Sequence, residues 1–147
     1  MMRHFLGVDV GGTNTRLLLM DDDGEFSGYR KIATADWARQ ADPLVALGRL
    51  IAGHCQDRQV AQVMLGLPGI LSRDRSRVLS LPFIPALDAQ PVAALLADLL
   101  ALPVRMDKDV NHLLWWDLQQ LPALPQVAVG LYLGTGMGNS LWLNGDF

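Results

Sequence analysis

The sequence predicts an α/β protein built on a mixed sheet, with an antiparallel first three strands and helices on its flanks. Three observations carry this. Residues 5–10, 16–20 and 27–34 are strand-like runs separated only by turn signals, so they read as a meander. Helical and strand-like segments then alternate from residue 42 onward. Half of the 147 residues are hydrophobic, enough for one domain with a real core and a piece of a second.

The first run ends at Gly11-Gly12 and the second at Asp21-Asp22-Asp23-Gly24, and no helix fits between them. Asp42-Pro43 opens a helix, with an acid to cap it and proline at the first helical position. Leu44, Leu47 and Ile51 follow at helical spacing, and the helix fades over residues 56–58. Residues 60–67 form a strand stopped by Pro68-Gly69, and residues 78–81 a further short strand. Pro82 and Pro85 impose an irregular loop. Pro91 opens a second helix, with Val92, Leu95, Leu96, Leu99 and Leu100 on its apolar side, which Pro103 ends. Residues 104–106 are a short strand with residues 107–109 at its end, and residues 110–118 are helical. Pro122-Ala123-Leu124-Pro125 reads as a linker. The expected division is therefore an N-terminal domain over 1–122, then a linker and the first hairpin of a second domain over 123–147. That hairpin pairs residues 127–133 with 140–143 and is expected to have nothing covering it, a marginal arrangement in water.

Charge narrows the partners. Twelve basic and 15 acidic residues give a net charge of −3, so neither nucleic acid nor an anionic membrane is expected. No run reaches the roughly 18 apolar residues of a membrane span, and no signal region opens the sequence. The single cysteine, Cys55, excludes an internal disulfide framework. A cytoplasmic protein is expected. His54 and Cys55 are adjacent on one helix and share no face, His4 and His112 have no ligand-like spacing partners, and residues 21–23 are a turn rather than a metal site. Trp115 and Trp116 read as core or interface packing.

Chemistry concentrates in Asp9-Val10-Gly11-Gly12-Thr13-Asn14-Thr15-Arg16. A strand delivers Asp9 to its carboxyl end, and two glycines let the backbone approach a bound group closely. Thr13 adds a hydroxyl, and consecutive N–H groups can form an anion nest. An acid beside such a nest suits an outer ligand of Mg²⁺, which keeps several waters. The plain alternative is a Gly-Gly hairpin turn with a solvated acid. A second glycine-rich segment, Gly134-Thr135-Gly136-Met137-Gly138, lacks the following helix of a dinucleotide fingerprint, because Leu141, Trp142 and Leu143 follow as a strand. It reads as a hairpin whose Thr135 and Gly136 close over phosphates. Asp109 sits at a strand end ahead of a helix. It can be an N-cap or a base toward a hydroxyl.

The string Asp9 to Arg16 resembles the first phosphate loop of the ROK family (repressors, unknown reading frames and sugar kinases), which shares the actin-like, hexokinase-type ATPase fold with its ribonuclease H-like small domain. Three further segments match in the family's order. Gly66-Leu67-Pro68-Gly69 resembles its Gly-X-Pro-Gly turn, Asp107-Lys108-Asp109-Val110-Asn111 its Glu-Asn-Asp-X-Asn motif, and residues 134–138 its second glycine-rich loop. The resemblance covers nearly the whole chain. It implies ATP and Mg²⁺ as cofactors and a sugar as acceptor, with Asp109 as catalytic base. It places Asp9, Gly11, Gly12, Thr13, Arg16, Thr135 and Gly136 at the nucleotide, Asp9 at Mg²⁺ through water, and Gly69, Lys108 and Asp109 at the sugar. Asn111 would fix the loop. Among members, Asp109-Val110-Asn111, Trp116-Asp117 and residues 132–138 are most similar to D-allose kinase. Glucokinases and N-acetylmannosamine kinases stand behind it. Regulators of the family carry a helix-turn-helix ahead of the first loop, and only six residues precede Gly7 here.

Three departures accompany the resemblance. Phe83 stands where the family has a sugar-contacting asparagine, so the polar contact is lost and only stacking remains. Lys108 replaces asparagine, as in the D-allose branch, and Asn139-Ser140 follows the second loop where small glycines are common. The family also continues well beyond this length, through a sugar-gripping Glu…Gly-His segment and a His/Cys zinc site for which Cys55 cannot substitute. The expectation is a fragment or a truncated product with no appreciable kinase activity alone and no zinc site, with a non-catalytic binding module as the alternative. Resemblance and the uncovered hairpin together point to a homodimer.

Overall fold

The computed structural model describes residues 2–134 and 136–147. Strand β1 (His4–Val10) alternates in burial, with Leu6, Val8 and Val10 inward. The chain turns at Gly11-Gly12 into β2 (Asn14–Asp21) and again into β3 (Phe26–Ala33), and the three form the expected antiparallel meander. Asp21 closes the second turn by accepting from the N–H groups of Asp23 (3.0 Å) and Glu25 (2.9 Å). A single helical turn, α1 (Ala35–Ala38), follows and buries Trp37. Four residues offer no periodicity, so the sequence does not signal it.

Helix α2 (Pro43–Cys55) starts where Asp42-Pro43 says it should, and the Asp42 carboxylate accepts from Val45 N–H at 3.1 Å. Strand β4 (Val60–Leu67) pairs in parallel with β1. A small hairpin of β5 (Ile70–Leu71) and β6 (Val78–Ser80) leads through a 3-10 turn at Pro85–Leu87 into α3 (Val92–Leu100). Strand β7 (Val104–Lys108) pairs in parallel with β4, and α4 (Asp109–Gln119) follows directly. The main sheet thus has the order β3-β2-β1-β4-β7. Helices α2 and α3 lie on one face, where Leu47, Ile51, Val92 and Leu96 join Leu6, Leu17, Val63 and Leu65 in one buried cluster.

The opposite face is covered at one end only. Side chains alternate along a strand, so Met64 and Gly66 of β4 look away from the core. Met64 is exposed, while Gly66 is buried beneath His112 of α4. A Cβ on Gly66 would stand 3.1 Å from His112 Nδ1, so the helix docks this closely because the position is glycine.

Strands β8 (Val127–Leu133) and β9 (Met137–Leu143) form a separate two-stranded sheet. Strand β9 begins three residues earlier than the sequence suggests, so Met137, Gly138 and Asn139 belong to the ladder and the turn is shorter. The expectation that nothing covers this hairpin is corrected. Leu114 and Leu118 of α4 pack on Trp142, and Ala128, Tyr132 and Phe147 close the cluster. Tyr132 donates to Asp117 at 2.8 Å, and burial with that carboxylate pushes its phenol up to about 12. The hairpin's other face stays open, and Val127, Val129, Leu131, Leu133, Leu141 and Leu143 are each at least half exposed. Trp115 stacks obliquely on Trp142 with ring centres 5.5 Å apart, whereas Trp116 is exposed and is not core.

Leu65 lies at the centre of β4 with no exposure. Leu65→Ala is expected to lower unfolding stability by about 2–5 kcal/mol in a denaturant titration, because the rigid sheet cannot collapse onto the lost volume.

Candidate functional site

Strand register assembles the site. Arg16 of β2 lies opposite Asp9 of β1, Asp9 beside Gly66 of β4, and Gly66 beside Asp107 of β7. Four strands therefore present these residues in one row near the carboxyl ends of the parallel strands. The segments that continue past the row all emerge at one edge of the sheet. They are residues 11–13, residues 68–69 and the start of α4. Along this edge runs a cleft of about 770 Å³. Of the residues singled out from sequence, Gly11, Gly12, Thr13, Arg16, Gly69, Lys108, Asp109 and Gly136 line it. Asp9 does not line it but stands beside it, with its Oδ2 accepting from Arg16 Nη1 at 3.0 Å. Thr135 lies outside the described residues.

The first glycine loop is held from behind by an oriented chain of hydrogen bonds. Trp37 Nε1 donates to Thr15 Oγ1 at 2.9 Å. The Thr15 and Thr34 hydroxyls are 3.0 Å apart, and Thr34 Oγ1 donates to the Gly11 carbonyl at 2.7 Å. Thr34 uses its one proton on Gly11, so Thr15 must be the donor between the two threonines. Both threonines are buried. Backbone bonds from Gly11 N–H to Asn14 O and from Thr34 N–H to Thr13 O, each 2.9 Å, complete the support. The N–H groups of Gly12 and Thr13 have no protein acceptor among the described residues, and both residues are exposed. The loop thus offers donors to an anion while its carbonyl side is tied down. Sequence reasoning does not reveal this support. Its only signal is two threonines and a tryptophan in an otherwise apolar setting.

Asp109 is the first residue of α4, with Lys108 in the cap position making no side-chain capping bond. Among the described residues, the Asp109 carboxylate accepts only from its neighbour, Val110 N–H, at 2.8 Å. Capping therefore does not account for it, because a capping carboxylate reaches two or three residues ahead. Burial raises the Asp109 pKa above the usual carboxylate range, and the negative charge of Asp9 adds to this. Val110 N–H, Lys108 and His112 pull the other way. A raised carboxyl pKa strengthens the carboxylate as a base. His112, behind Asp109, has its pKa lowered chiefly by burial, against the pull of Asp107, Asp109 and Asp9.

Phe83 enters the cleft from the loop after β6. Its ring lies against Gly12, where a Cβ would stand 3.1 Å from three ring carbons, and Phe83 itself is 60% exposed. Phe83 is thus an apolar wall over the first glycine loop. Lys108 also faces the cleft, its Nζ donating to Asn139 O at 3.4 Å. Among the described residues, no three His, Cys, Asp or Glu side chains group as metal ligands. Asp9 and Asp109 nevertheless bring two carboxylates to one edge, and a hydrated Mg²⁺ bound there would relieve their mutual repulsion. That chemistry fits one carboxylate with water and phosphate oxygens, not an all-protein cage. No helix among the described residues is long and apolar enough to cross a membrane.

A mixed sheet of this order, with a glycine loop after its first strand and a carboxylate after its last, defines the actin-like small-domain class. Solved structures carry the same fold. A ROK family glucokinase from Streptomyces griseus, determined with glucose and AMPPNP, superposes with a TM-score of 0.79 at 25% identity, over 96% of this chain and 45% of that one. A structure from Cytophaga hutchinsonii superposes at 0.81 with 28% identity, over 97% and 48%. The chain belongs to the ROK family, whose sequence profile matches residues 5–147. It is 30% identical over 147 residues to an N-acetyl-D-glucosamine kinase of Yersinia pestis, covering 97% of this chain and 56% of that protein. It is 32% identical over 145 residues to that of Citrobacter koseri, covering 96% and 46%. The chain spans about half the length of these relatives. They are N-acetyl-D-glucosamine kinases, not the D-allose kinase expected from Asp109-Val110-Asn111, Trp116-Asp117 and residues 132–138.

Two outcomes follow for the site. Thr34→Val leaves the Gly11 carbonyl without its donor and the Thr15 hydroxyl proton without an acceptor, while Trp37 still donates to Thr15, and is expected to cost about 1–3 kcal/mol of stability and to speed amide exchange at residues 11–14. Asp109→Asn is expected to stabilise the fold at neutral pH. The folded-state pKa of Asp109 is raised, so its stabilising contribution is present below the unfolded pKa and lost as pH rises through the folded one. The amide removes that loss, and the gain over wild type should vanish below about pH 4 in thermal melts.

Proposed function

We propose that this chain carries the phosphate-binding and acceptor-binding half of an ATP-dependent hexose kinase. One observation carries the reading. A single cleft gathers the first glycine loop, Gly69, Lys108, Gly136 and a carboxylate whose pKa is raised by burial. In this reading Asp109 accepts the proton of the sugar's terminal hydroxymethyl group as that oxygen attacks the γ-phosphorus of ATP. The N–H groups of Gly12 and Thr13 donate to phosphate oxygens, Arg16 adds positive charge, and Asp9 meets Mg²⁺ through water. Mg²⁺, when bound, neutralises charge on the phosphates. Gly69 and Lys108 face the acceptor. Residues 1–122 form the N-terminal domain, and residues 123–147 begin the second.

The acceptor is an aldohexose. Lys108 and the second glycine loop favour D-allose, while the names of the relatives favour N-acetyl-D-glucosamine. A cytoplasmic homodimer fits the open apolar face of the hairpin. The second reading is a non-catalytic binding module, favoured by Phe83, which stands where a sugar-contacting asparagine is expected and lies against Gly12 of the nucleotide loop.

Calorimetric titration of the chain with Mg·AMPPNP, D-allose, D-glucose and N-acetyl-D-glucosamine tests the two readings against each other. Heat with the nucleotide supports the kinase half, and none with any ligand supports the binding module. A chimaera joining this chain to the C-terminal half of the Citrobacter koseri kinase tests the base. Asp109→Asn in that chimaera is expected to lower turnover at least about a hundredfold, the lower end of what general-base catalysis supplies, with nucleotide binding kept. Turnover that survives the change removes Asp109 from the role.

A further inference from the structure

Asp109 is flanked two residues on either side by groups that are tied to each other. Asp107 precedes it at the end of β7, and its carboxylate is only 17% exposed. One oxygen, Oδ1, accepts from Lys108 N–H at 2.7 Å and from Asn111 Nδ2 at 2.8 Å. The other, Oδ2, meets Arg75 Nε at 2.8 Å. Asn111 follows Asp109 in the first turn of α4, and its Oδ1 accepts from Ser140 Oγ of β9 at 2.7 Å. Asn111 and Ser140 are both buried. An unbroken chain therefore runs from Arg75 through Asp107 and Asn111 to Ser140, and Asp109 lies between its Asp107 and Asn111 members along the backbone.

Arg75 reaches this chain from the turn between β5 and β6. The same guanidinium extends from Nη2 to Asp146 Oδ1 and to the Phe147 carbonyl, each at 3.5 Å. It thus joins the rim of the main sheet to the chain beyond β9. Its backbone has a φ of 58°, in the left-handed region that a side chain makes costly. The turn holds it there through Arg75 N–H on Ser72 O at 2.8 Å and through Asp74, which accepts from Ser72 Oγ and Ser76 N–H. A turn that keeps a strained arginine and aims it at a half-buried carboxylate is not explained by turn geometry alone, which glycine satisfies better.

We propose that Arg75 is a positioning residue for Asp109, acting through Asp107 and Asn111, and that it ties the β8/β9 hairpin to the rim of the main sheet. The proposal rests on the reading of Asp109 as base, but its tests require no turnover. The charged groups acting on Asp109 are Asp9 with its partner Arg16 from β1 and β2, Lys108 from β7 and His112 from α4, and Asp107 of β7 bears on that same His112. Removing the guanidinium leaves Asp107 uncompensated within this group, and like charge raises a carboxyl pKa.

Titration of Asp109 by carboxyl ¹³C NMR in the full chain should therefore show its midpoint moving up in Arg75→Ala. It should return toward wild type in Arg75→Ala/Asp107→Asn and stay near wild type in Arg75→Lys, which keeps the charge. A loosened turn without this coupling would lower the midpoint toward an ordinary carboxylate. The second test is a double-mutant cycle of Arg75→Ala and Ser140→Ala on the unfolding equilibrium. Arg75 and Ser140 are joined through Asp107 and Asn111, so their effects should fail to multiply by about twofold or more, the lower range for residues in one network. A midpoint that stays put or falls overturns the proposal, as do effects that combine independently. Should Arg75→Ala not fold, Arg75→Gln serves in both tests with the same outcomes. A chain that binds neither nucleotide nor sugar would remove the kinase reading and leave these results standing.

Discussion

The structure depends first on the parallel register of β1, β4 and β7. Pairing Asp9 with Gly66 and Gly66 with Asp107 fixes where three chain segments leave the sheet. A slip of one residue in either pairing would turn core side chains such as Leu65 outward. The buried face therefore enforces the register, and the register in turn brings the glycine loop, the Pro68-Gly69 turn and Asp109 to one edge. Packing on the far side of the sheet, around Leu47 and Leu96, is in this sense part of what builds the site.

Two polar chains refine what the register roughly places. Trp37, Thr15 and Thr34 hold the carbonyl side of the first glycine loop, and Asp107, Asn111 and Ser140 hold the first turn of α4. Both are buried and directional, so each member's loss strands another's donor or acceptor. Their arrangement is complementary. One leaves the Gly12 and Thr13 N–H groups for a ligand, and the other leaves the Asp109 carboxylate with only a local bond. The groups facing the cleft are those the supports do not use.

Much of this is legible in the sequence because it rests on local rules. The meander follows from runs separated by turns, α2 from Asp42-Pro43, and the cleft-lining glycines from their strings. What escapes is tertiary. Helix α1 is a single turn fixed by Trp37 finding Thr15, which no local pattern announces. Arg75 lies 32 positions before Asp107 in a polar turn that reads as plain surface. Strand β9 reads as too short because glycine and asparagine at 138 and 139 signal a loop. The ladder overrides that signal, since Tyr132 pairs with Gly138 and Leu131 with Asn139. The hairpin's cover escapes because the apolar positions of α4 do not say how many sheets the helix packs on.

Helix α4 in fact serves both sheets, and this gives the site its character. At one end of its contacts His112 sits on Gly66 of the main sheet. At the other, Val110 presses on Gly138 of the hairpin so closely that no Cβ would fit there. Farther along, Leu114 and Leu118 hold Trp142. The helix that begins with Asp109 is thus wedged between two glycines, one from each sheet. A rotation of the hairpin cannot leave Asp109 where it is, because Val110 and Asn111 contact β9 directly through packing and through Ser140. Close packing transmits such shifts rather than absorbing them. The position of the Asp109 carboxylate and the shape of the cleft are therefore one mechanical variable in this fold, set where α4 meets β9.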